Sequence, residues 1–534
     1  MPNFHCPLTI ADALSQAALV APDVEAVVAD DGRVTYAELH ARVGRVAAAM
    51  QAAGVRKGDF VAICMGNGVR WIELFFAAGT LGAVTVPVNT RLLPDEMAYQ
   101  ISQSRSRFLF IADRLLKVDL IDTLRRVCPG IDGTLPDPRL PHLERVVVCG
   151  ADIPAAVIGW DAFMAGADGP VVPTCTPQDI FLIQYTSGTT GFPKGVMLAQ
   201  GQMLANAWCV GKRIGLRIAD RYHSARPFFH VAGTTLSILT ALQQAATLVT
   251  MTRFEPGEVL RQLETERCSH LSANDTMILM LLGHPSLATT RLSLRGGYVV
   301  AVPAIIRRAI DELGLHEVVV AYGMSETSPN VALSCWWEPQ DVRAAGRMLV
   351  QAGVELRCVD EAGRPVAAGE AGEIQVRGWP VMQGYLHKPE ETAKTINAEG
   401  WLSTGDRGRL GADNRLEIMG RIKDIVRVGG ENVAPAEVED ILQRHPKIRQ
   451  AQIVGVPDER LKEVTAAFIV LREGETASVE EIVEWARANM AAYKVPRHLA
   501  FVPHFDDIGM TGSGKVQKNK LAAHARRLFG LETA

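Results

Sequence analysis

The repeated alternation of apolar strand-like segments with amphipathic helices constrains the fold of this 534-residue chain more than any other feature. Residues 9–20 carry apolar side chains at helical spacing, and Thr35 begins a second amphipathic helix that Gly54 ends. The apolar segment 59–67 and the helical pattern 69–83 repeat this order before a second apolar run, AVTVPVN. Strands connected through helices pair in parallel, so the pattern predicts an α/β fold with helices packed against parallel-rich sheets.

The pattern changes after residue 350, where short strands alternate with glycine-rich turns, as in VELRCVD, GEIQVRG and RLEIMG. This change predicts an antiparallel or barrel-like subdomain at the end of a large N-terminal body, residues 1–422. Helix, two strands and another helix then follow in order. They predict a small α+β C-terminal domain, residues 423–534.

Composition and charge exclude several classes of protein. The chain has 55 Lys and Arg residues against 59 Asp and Glu residues, a formal net charge of −4, so general attraction to nucleic acid or to an anionic membrane is not expected. Nine scattered cysteines without a CxxC pair argue against a disulfide framework or zinc site and favour the reducing cytoplasm. The sequence shows no signal-peptide pattern and no apolar run of about 18 residues, so no transmembrane segment is expected. The sequence is also compatible with a homodimer.

The strongest local motif is YTSGTTGFPKG at residues 185–195, which follows the strand-like run FLIQ. Its hydroxyl groups can donate to an anion, its glycines let backbone N–H groups approach one, and Lys194 adds positive charge. The motif differs from a Walker A loop because Gly195, instead of Ser or Thr, follows the lysine. It therefore predicts a polyphosphate-binding loop that uses Thr186, Ser187, Gly188, Thr189, Thr190 and Gly191.

This motif resembles the phosphate loop of the adenylate-forming superfamily, which includes acyl-CoA synthetases, luciferase-like enzymes and peptide-synthetase adenylation domains. Further motifs of that superfamily occur in the right order at 322–327 (YGMSET), 403–406 (STGD), 420–424 (GRIKD), 429–432 (GGEN) and 514–518 (GKVQK). The resemblance extends from about residue 9 to residue 524 and is closest to acyl-CoA synthetases. It implies that the chain uses ATP and Mg²⁺ to convert a carboxylic acid into an acyl-adenylate, and then passes the acyl group to coenzyme A.

The resemblance also implies roles for residues that contact the nucleotide. Tyr322 would pack on adenine, Ser325 would meet the α-phosphate, and Glu326 would hold Mg²⁺. Serine stands at 325 where the family usually has threonine, which keeps the hydroxyl group. Asp406 and Arg421 would bind the ribose, with Asp406 in a polar turn before the strand RLEIM. Alone, each of these residues would be read as a helix cap or a surface ion pair.

Two further implications concern the C-terminal domain. Lys515, on a glycine-rich loop, would bridge the substrate carboxylate and the α-phosphate and act as the catalytic cation. Lys423 would be the hinge about which the small domain turns between the two half-reactions. After that turn, Gly429, Gly430 and Glu431 would approach the pantetheine.

The acyl pocket is expected at residues 227–233 (PFFHVAG), which resemble the family segment that lines it. Its expected members are His230, Val231, Ala232 and Gly323. A lone histidine beside aromatic residues is also a common core residue. Peptide-synthetase adenylation domains carry an aspartate in this segment, and its absence here argues against amino-acid substrates.

The expected partner is a small-molecule carboxylic acid, and the acid itself stays open. A medium-chain aliphatic acid is the first expectation and an aryl acid the second. A carrier-protein phosphopantetheine is the alternative acyl acceptor, and a non-catalytic nucleotide-binding scaffold is the alternative of another class. An NAD-dependent enzyme is disfavoured, because residues 65–70 contain only two of the three glycines of GxGxxG.

Overall fold

The computed structural model describes residues 8–167, 169–186, 193–428, 431–510 and 516–531. The strands of the N-terminal body are β1 (Glu25–Ala29), β2 (Gly32–Thr35), β3 (Phe60–Cys64), β4 (Val84–Pro87), β5 (Phe108–Ala112), β6 (Arg114–Leu115), β7 (Val118–Asp119), β8 (Arg145–Cys149), β9 (Ile158–Gly159), β10 (Ile180–Thr186), β11 (Lys194–Ala199), β12 (Arg221–Ser224), β13 (Thr247–Val249), β14 (His270–Asn274), β15 (Gly296–Val300), β16 (Glu317–Gly323), β17 (Asn330–Leu333), β18 (Met348–Val350), β19 (Val354–Val359), β20 (Ala371–Gly378), β21 (Leu402–Leu410) and β22 (Arg415–Arg421). Toward the C-terminus follow β23 (Val426–Val428), β24 (Glu431–Val433), β25 (Ile448–Asp458), β26 (Lys462–Leu471) and β27 (His498–Phe501).

The α-helices are α1 (Ile10–Val20), α2 (Tyr36–Ala52), α3 (Val69–Thr80), α4 (Pro94–Gln103), α5 (Leu120–Val127), α6 (Trp160–Met164), α7 (Gln200–Arg213), α8 (Val231–Gly233), α9 (Thr240–Gln244), α10 (Pro256–Thr265), α11 (Asp275–Leu282), α12 (Pro303–Leu313), α13 (Gln340–Ala344), α14 (Pro389–Thr395), α15 (Pro435–Gln443), α16 (Val479–Asn489) and α17 (Lys518–Leu528). A π-helical turn, Thr234–Leu239, joins α8 to α9. Short 3-10 turns occupy Pro129–Asp132, Pro285–Thr289, Ser325–Thr327 and Ile422–Asp424. Within the described ranges, none of the helices is long and apolar enough to cross a bilayer.

Local sequence explains the first helices, and the predicted order at the N-terminus is confirmed. Thr35 caps α2 through a reciprocal pair of bonds: its hydroxyl accepts the Glu38 N–H, and the Glu38 carboxylate accepts the Thr35 N–H. The strand at 59–67 and the helix after it appear as β3 and α3. Nearly all of α3 is buried, because it lies between the two large sheets.

The strands of the body form two large sheets. A seven-stranded sheet has the order β11-β10-β4-β3-β5-β8-β9 and is parallel except for the β10–β11 hairpin. A thirteen-stranded sheet has the order β19-β20-β21-β22-β18-β17-β16-β15-β14-β12-β13-β1-β2. The run β16-β15-β14-β12-β13-β1 within that order is parallel, and β2 pairs antiparallel with β1 at one end. At the other end, the antiparallel strands expected after residue 350 continue the same sheet.

The N-terminal body has five layers, in which the two sheets alternate with three layers of helices. The alternation of side chains along each strand shows which core each face contacts. In β3, Val61 and Ile63 face the core shared with α2, α3 and the thirteen-stranded sheet, whereas Ala62 and Cys64 face the core under α4 and α5. The far side of the thirteen-stranded sheet is covered by α10, α11 and α12. Because neighbouring strands pair in parallel, their carboxyl ends lie along one edge of each sheet, where ligands of α/β proteins bind.

The C-terminal strands form a separate five-stranded sheet around a core of its own, covered by α15, α16 and α17. Lys518 at the start of α17 is anchored: its ammonium donates to Glu439 Oε1 at 2.6 Å and to the Ile453 carbonyl at 3.1 Å. Toward the body, Asp440 Oδ1 accepts the Ala304 N–H of α12 at 2.8 Å. The carboxylate that lies at the N-terminus of α12 therefore belongs to the C-terminal unit.

A network of four charged side chains closes the edge of the thirteen-stranded sheet. Glu25 of β1 binds Arg33 of β2 at 2.7 Å and Arg221 of β12 at 2.8 Å, and both arginines also bind Glu266. The hydrogen bond from Arg33, supported by Arg221, lowers the pKa of Glu25 from 4.5 to about 2. The charged form of Glu25 is therefore favoured in the folded state.

The variant Glu25→Gln tests this network through its pH dependence. Because the folded-state pKa is depressed, the contribution of Glu25 is fully present above its ordinary value of 4.5 and is lost as pH falls towards 2. We expect Glu25→Gln to lower the free energy of unfolding at pH 7, and the deficit to shrink below pH 4.5. Urea unfolding at a series of pH values measures it, with exposed Glu361→Gln as the control. A deficit that stays constant down to pH 3 would contradict the assignment.

Candidate active site

Three of the predicted nucleotide contacts lie together at the end of β16. The Tyr322 hydroxyl donates to Asp406 Oδ2 at 2.6 Å, and Arg421 Nε lies 2.7 Å from Asp406 Oδ1. Burial, and then the Asp406 carboxylate, raise the pKa of Tyr322 well above its usual value, so the phenol stays protonated. The carboxylate is thereby fixed between a phenol and a guanidinium.

One local expectation was wrong: Asp406 lies within β21 and not in a turn before a strand. The reason is cross-strand pairing, because Asp406 is directly opposite Arg421 in the antiparallel β21–β22 ladder. Opposite residues on one face of such a pair bring their side chains into contact. The sheet, and not a loop, therefore positions both predicted ribose contacts.

Gly323 follows Tyr322 at a point where the chain passes very close to itself. A β-carbon at 323 would lie 1.9 Å from the Pro329 carbonyl oxygen, a distance at which no larger residue fits. The same oxygen accepts the Met324 N–H at 3.0 Å and the Thr327 hydroxyl. The structure thus requires glycine at 323 for the backbone; its expected place in the acyl pocket stays a prediction.

A second cluster surrounds Glu326, which is 7% exposed on the turn Ser325–Thr327. The Tyr385 hydroxyl donates to Glu326 Oε1 at 2.9 Å, and burial followed by this carboxylate raises the pKa of Tyr385. Lys194 Nζ lies 4.2 Å from the centre of the Tyr385 ring and 3.6 Å from Glu391 Oε2. This arrangement brings Glu326 and Lys194, which are distant in sequence, to one tyrosine: Glu326 contacts its hydroxyl and Lys194 lies over its ring.

The two ends of the predicted phosphate loop are held by the β10–β11 hairpin. Thr186 and Lys194 are paired across the two strands, and the Thr186 hydroxyl donates to the Lys194 carbonyl at 3.4 Å. Several predicted residues lie outside the described part of the chain: Ser187, Gly188, Thr189, Thr190, Gly191, Gly429, Gly430 and Lys515. The hairpin thus fixes where the loop begins and ends.

The expected pocket segment is packed on its own backbone. His230 caps α8, accepting the Ala232 N–H on Nδ1 at 3.1 Å, and remains partly exposed. Val231 and Ala232 are buried. At Gly233 a β-carbon would lie 2.2 Å from the Pro227 carbonyl, so this turn also requires glycine. The π-helical turn that follows is a form often found at functional sites.

The remaining predicted residues mark the connection to the C-terminal unit. Lys423 lies in the 3-10 turn Ile422–Asp424, directly after Arg421 ends β22. Glu431 begins β24 and is exposed, paired with Val428 of β23. Lys423 therefore lies on the short path between β22 and the small sheet, and Glu431 lies in an edge strand of that sheet.

Sequence reasoning missed residues whose roles depend on distant partners. Tyr385 had no motif that could identify it. Asn67 was noticed only within a failed glycine pattern, yet its amide holds the pocket segment by donating to the Arg226 carbonyl at 2.9 Å and accepting the Phe228 N–H at 2.9 Å. Gln184 donates to the Phe229 carbonyl at 2.9 Å. For Asn67 and Gln184, the one signal that could have indicated them is a polar residue at the end of an otherwise apolar run.

The described side chains suit a metal bound jointly with phosphate. Mg²⁺ in proteins is usually held by one or two carboxylates plus substrate phosphates and water. Glu326 offers one buried carboxylate, whose Oε2 makes no hydrogen bond with the described residues. Those residues contain no cluster of three or more His, Cys, Asp or Glu side chains that would form an all-protein cage. The donor set therefore fits Mg²⁺ carried in with a nucleotide.

Comparisons with known proteins match nearly the whole chain. Residues 14–386 match the model of the AMP-binding enzyme family, and residues 437–515 match that of the AMP-binding enzyme C-terminal domain. The chain is 34% identical to the mitochondrial medium-chain acyl-CoA ligase ACSF2 of Danio rerio over 535 residues, covering 96% of this chain and 87% of the relative.

Two further similarities concern acids of other kinds. A Rhodococcus jostii CoA ligase for a 7a-methyl-1,5-dioxo-octahydro-1H-inden-4-yl propanoyl group is 35% identical over 531 residues, covering 96% of this chain and 98% of the relative. The crystal structure of the anthranilate CoA ligase AuaEII with anthranoyl-AMP superposes with a TM-score of 0.88 at 26% identity, covering 98% of this chain and 99% of that one.

The variant Tyr322→Phe tests the buried Asp406 arrangement. Without the phenolic donor, the carboxylate loses a hydrogen bond to a charged acceptor, and we expect a loss of about 1.5–3 kcal/mol in the free energy of unfolding. Tyr222→Phe is the matched control, because the buried Tyr222 hydroxyl donates to a neutral acceptor, the Leu236 carbonyl, at 2.9 Å. Its expected loss is about 0.5–1.5 kcal/mol in the same urea titration. Equal losses would show that the charge on Asp406 adds nothing.

Proposed function

Because the chain belongs to the AMP-binding enzyme family, we propose that it is an acyl-CoA synthetase that joins a carboxylic acid to AMP and then transfers the acyl group to coenzyme A. Membership of this family makes it an AMP-forming ligase. In the first half-reaction the acid's carboxylate oxygen attacks the α-phosphorus of ATP and pyrophosphate leaves. In the second, the thiol of coenzyme A attacks the acyl carbon, and AMP leaves with the bonding electron pair while the thiol proton is lost.

The observation that carries the proposal is the Tyr322–Asp406–Arg421 arrangement at the carboxyl end of β16. A fixed carboxylate can accept both hydroxyls of a ribose, and the tyrosine ring offers a face for a base. A ligand held there places its phosphates towards Ser325 and the β10–β11 hairpin. Lys194 and the loop from Thr186 would then neutralise the β and γ phosphates.

Glu326 would hold Mg²⁺ together with the phosphates, and the ion would supply neutralisation of the charge that develops on the phosphoryl oxygens. Tyr385 fixes the orientation of this carboxylate by donating to Oε1 and leaves Oε2 for the ion. A preorganised carboxylate needs no rearrangement during the reaction, which favours the transition state.

The C-terminal unit would serve each half-reaction in turn. We assign residues 1–422 to the body and 423–534 to the mobile domain, with Lys423 as the hinge. Lys515 would bridge the acid and the α-phosphate during adenylation. After a rotation, Gly429, Gly430 and Glu431 would line the path of the pantetheine, where glycine lets a narrow ligand pass.

A medium-chain aliphatic acid is the proposed substrate, supported by the relative named for medium-chain acids; an aryl acid is second, supported by the anthranilate ligase. His230, Val231, Ala232 and Gly323 would form the pocket walls. Coenzyme A is favoured over a carrier protein because the Danio rerio and Rhodococcus jostii relatives are both named as CoA ligases. A cytoplasmic location is supported by the described cysteines, all of which are free.

The variant Lys515→Ala tests the proposal by ATP–pyrophosphate exchange across aliphatic, aryl and amino acids. We expect carboxylate-dependent exchange in the wild type, and a fall of at least 100-fold in the variant because a cation at the reacting centre is lost. Thioester formation from supplied acyl-adenylate should persist. Lys520→Ala, an exposed lysine of α17, is the control and should exchange normally. The proposal would be overturned if none of the acids supported exchange, or if the enzyme converted ATP to ADP instead of AMP.

The variant Lys423→Pro tests the hinge. Proline fixes φ near −65° and restricts the residue before it, so rotation about 423 is hindered. We expect adenylation to remain within a few-fold of wild type while thioester formation falls by at least 10-fold. Lys423→Ala removes the same side chain but keeps backbone freedom, and should support both half-reactions. Equal loss of both half-reactions in Lys423→Pro would refute the hinge.

A further inference from the structure

Arg226 directly precedes the pocket segment 227–233 and lies beyond the end of β12. Its backbone is fixed, because Asn67 binds the Arg226 carbonyl and the Phe228 N–H, each at 2.9 Å. It lies at the edge where the carboxyl ends of β12, β14 and β15 meet. This is the same edge from which Tyr322 projects at the end of the neighbouring β16.

The guanidinium of Arg226 makes few contacts with the protein. Nε donates to Ser272 Oγ at 2.9 Å and Nη2 donates to the Ala273 carbonyl, both on β14. The guanidinium carbon lies 5.9 Å from the centre of the Tyr298 ring, the outer limit of a cation–π contact. Nη1 makes no hydrogen bond with the described residues, and the residue remains partly accessible.

Two other enclosed arginines, Arg343 and Arg213, have both terminal nitrogens of the guanidinium paired. Arg343 donates through Nε, Nη1 and Nη2 to three backbone carbonyls, and Arg213 also donates to three. Such complete pairing is the normal way to place a guanidinium inside a protein. Arg226 is the exception among these three, since one arm of its fork is left open.

Within the part of the chain that the structure describes, no carboxylate contacts Arg226 directly. Among the described residues, none of the Asp and Glu side chains forms an ion pair with it within 4 Å. Asp275 acts on it only from a greater distance, and burial lowers the pKa of Arg226. A partly accessible cation with an open donor is therefore present beside the pocket segment.

Within the proposed class of medium-chain acids, we propose that Arg226 determines specificity for those whose acyl chain carries a second oxygen group, a carboxylate or a ketone, which its guanidinium binds. This proposal rests on the proposed acyl-CoA synthetase function. A planar guanidinium with a free N–H is well suited to such an acceptor. A purely aliphatic chain in its place would leave the donor unpaired, which is unfavourable in a desolvated site.

The adjoining turn is also more polar than an alkyl chain requires. The hydroxyls of Thr234 and Thr235 are buried without a hydrogen-bond partner among the described residues. This turn packs against the Arg226 segment, because Ser237 Oγ lies 2.7 Å from Ser224 Oγ, which in turn accepts the Arg226 N–H. The nucleotide contacts, in contrast, are provided by Tyr322, Asp406 and Arg421 on other strands.

The test compares wild type with Arg226→Met, using ATP–pyrophosphate exchange with octanoate, 7-oxooctanoate, octanedioate and benzoate. We expect wild type to prefer one or both oxygen-bearing acids over octanoate in kcat/KM by about 10- to 100-fold, the range that a hydrogen bond to a charged group supplies. In Arg226→Met that preference should fall to near one. Comparing kcat/KM for 7-oxooctanoate and octanedioate shows whether Arg226 prefers a neutral ketone or an anionic carboxylate.

Arg343→Met is the matched control, since it removes an enclosed arginine that the pocket does not use, and its acid preference should equal that of wild type. Arg226→Lys serves if the methionine variant does not fold; it keeps the charge but loses the fork, and its preference should decrease. A wild type that prefers octanoate, an equal loss for all acids, or a raised KM for ATP alone would overturn the specificity role. Exchange with benzoate only would overturn it while leaving the synthetase function standing, and exchange with none of the acids would overturn both.

Discussion

The Pro329 carbonyl oxygen is the point on which the site depends. It lies where only glycine fits at 323, and it accepts both the Met324 N–H and the Thr327 hydroxyl. These contacts close residues 322–327 into one rigid turn at the end of a parallel strand. Tyr322 therefore leaves the sheet in one direction and Glu326 in another, so that a base and a phosphate group can be held by the same short segment.

Two pairs of strands bring the rest of the site to that turn. Antiparallel pairing of β21 with β22 brings Asp406 and Arg421 to Tyr322, and the β10–β11 hairpin brings Lys194 to the Tyr385 ring. Each group is held by regular backbone pairing, which fixes side chains more precisely than a loop does. The positive charges of Arg421 and Lys194 therefore lie at separate places around the turn.

Sequence reasoning succeeded where structure is determined locally. Helix α2 could be predicted from its apolar spacing and the Thr35 cap, because both act within a few residues. The placement of Asp406 in a turn failed, since polar residues in an antiparallel strand are stabilised by a partner strand that periodicity does not reveal. Tyr385 was not predicted at all, because its acceptor, Glu326, is 59 residues away. The resemblance supplied order and roles, whereas the pairings came from the tertiary structure.

The contact between Asp440 and the first turn of α12 gives the arrangement of the two units an electrostatic component. Helix α12 has no side-chain cap of its own at Val302, so the carboxylate from α15 supplies the negative charge that a helix N-terminus favours. Any swivelling of the C-terminal unit must withdraw that charge and return the helix end to water. Dissolved salt screens this contact between a carboxylate and a helix dipole. It therefore lowers the free-energy cost of moving the C-terminal unit away from its present orientation.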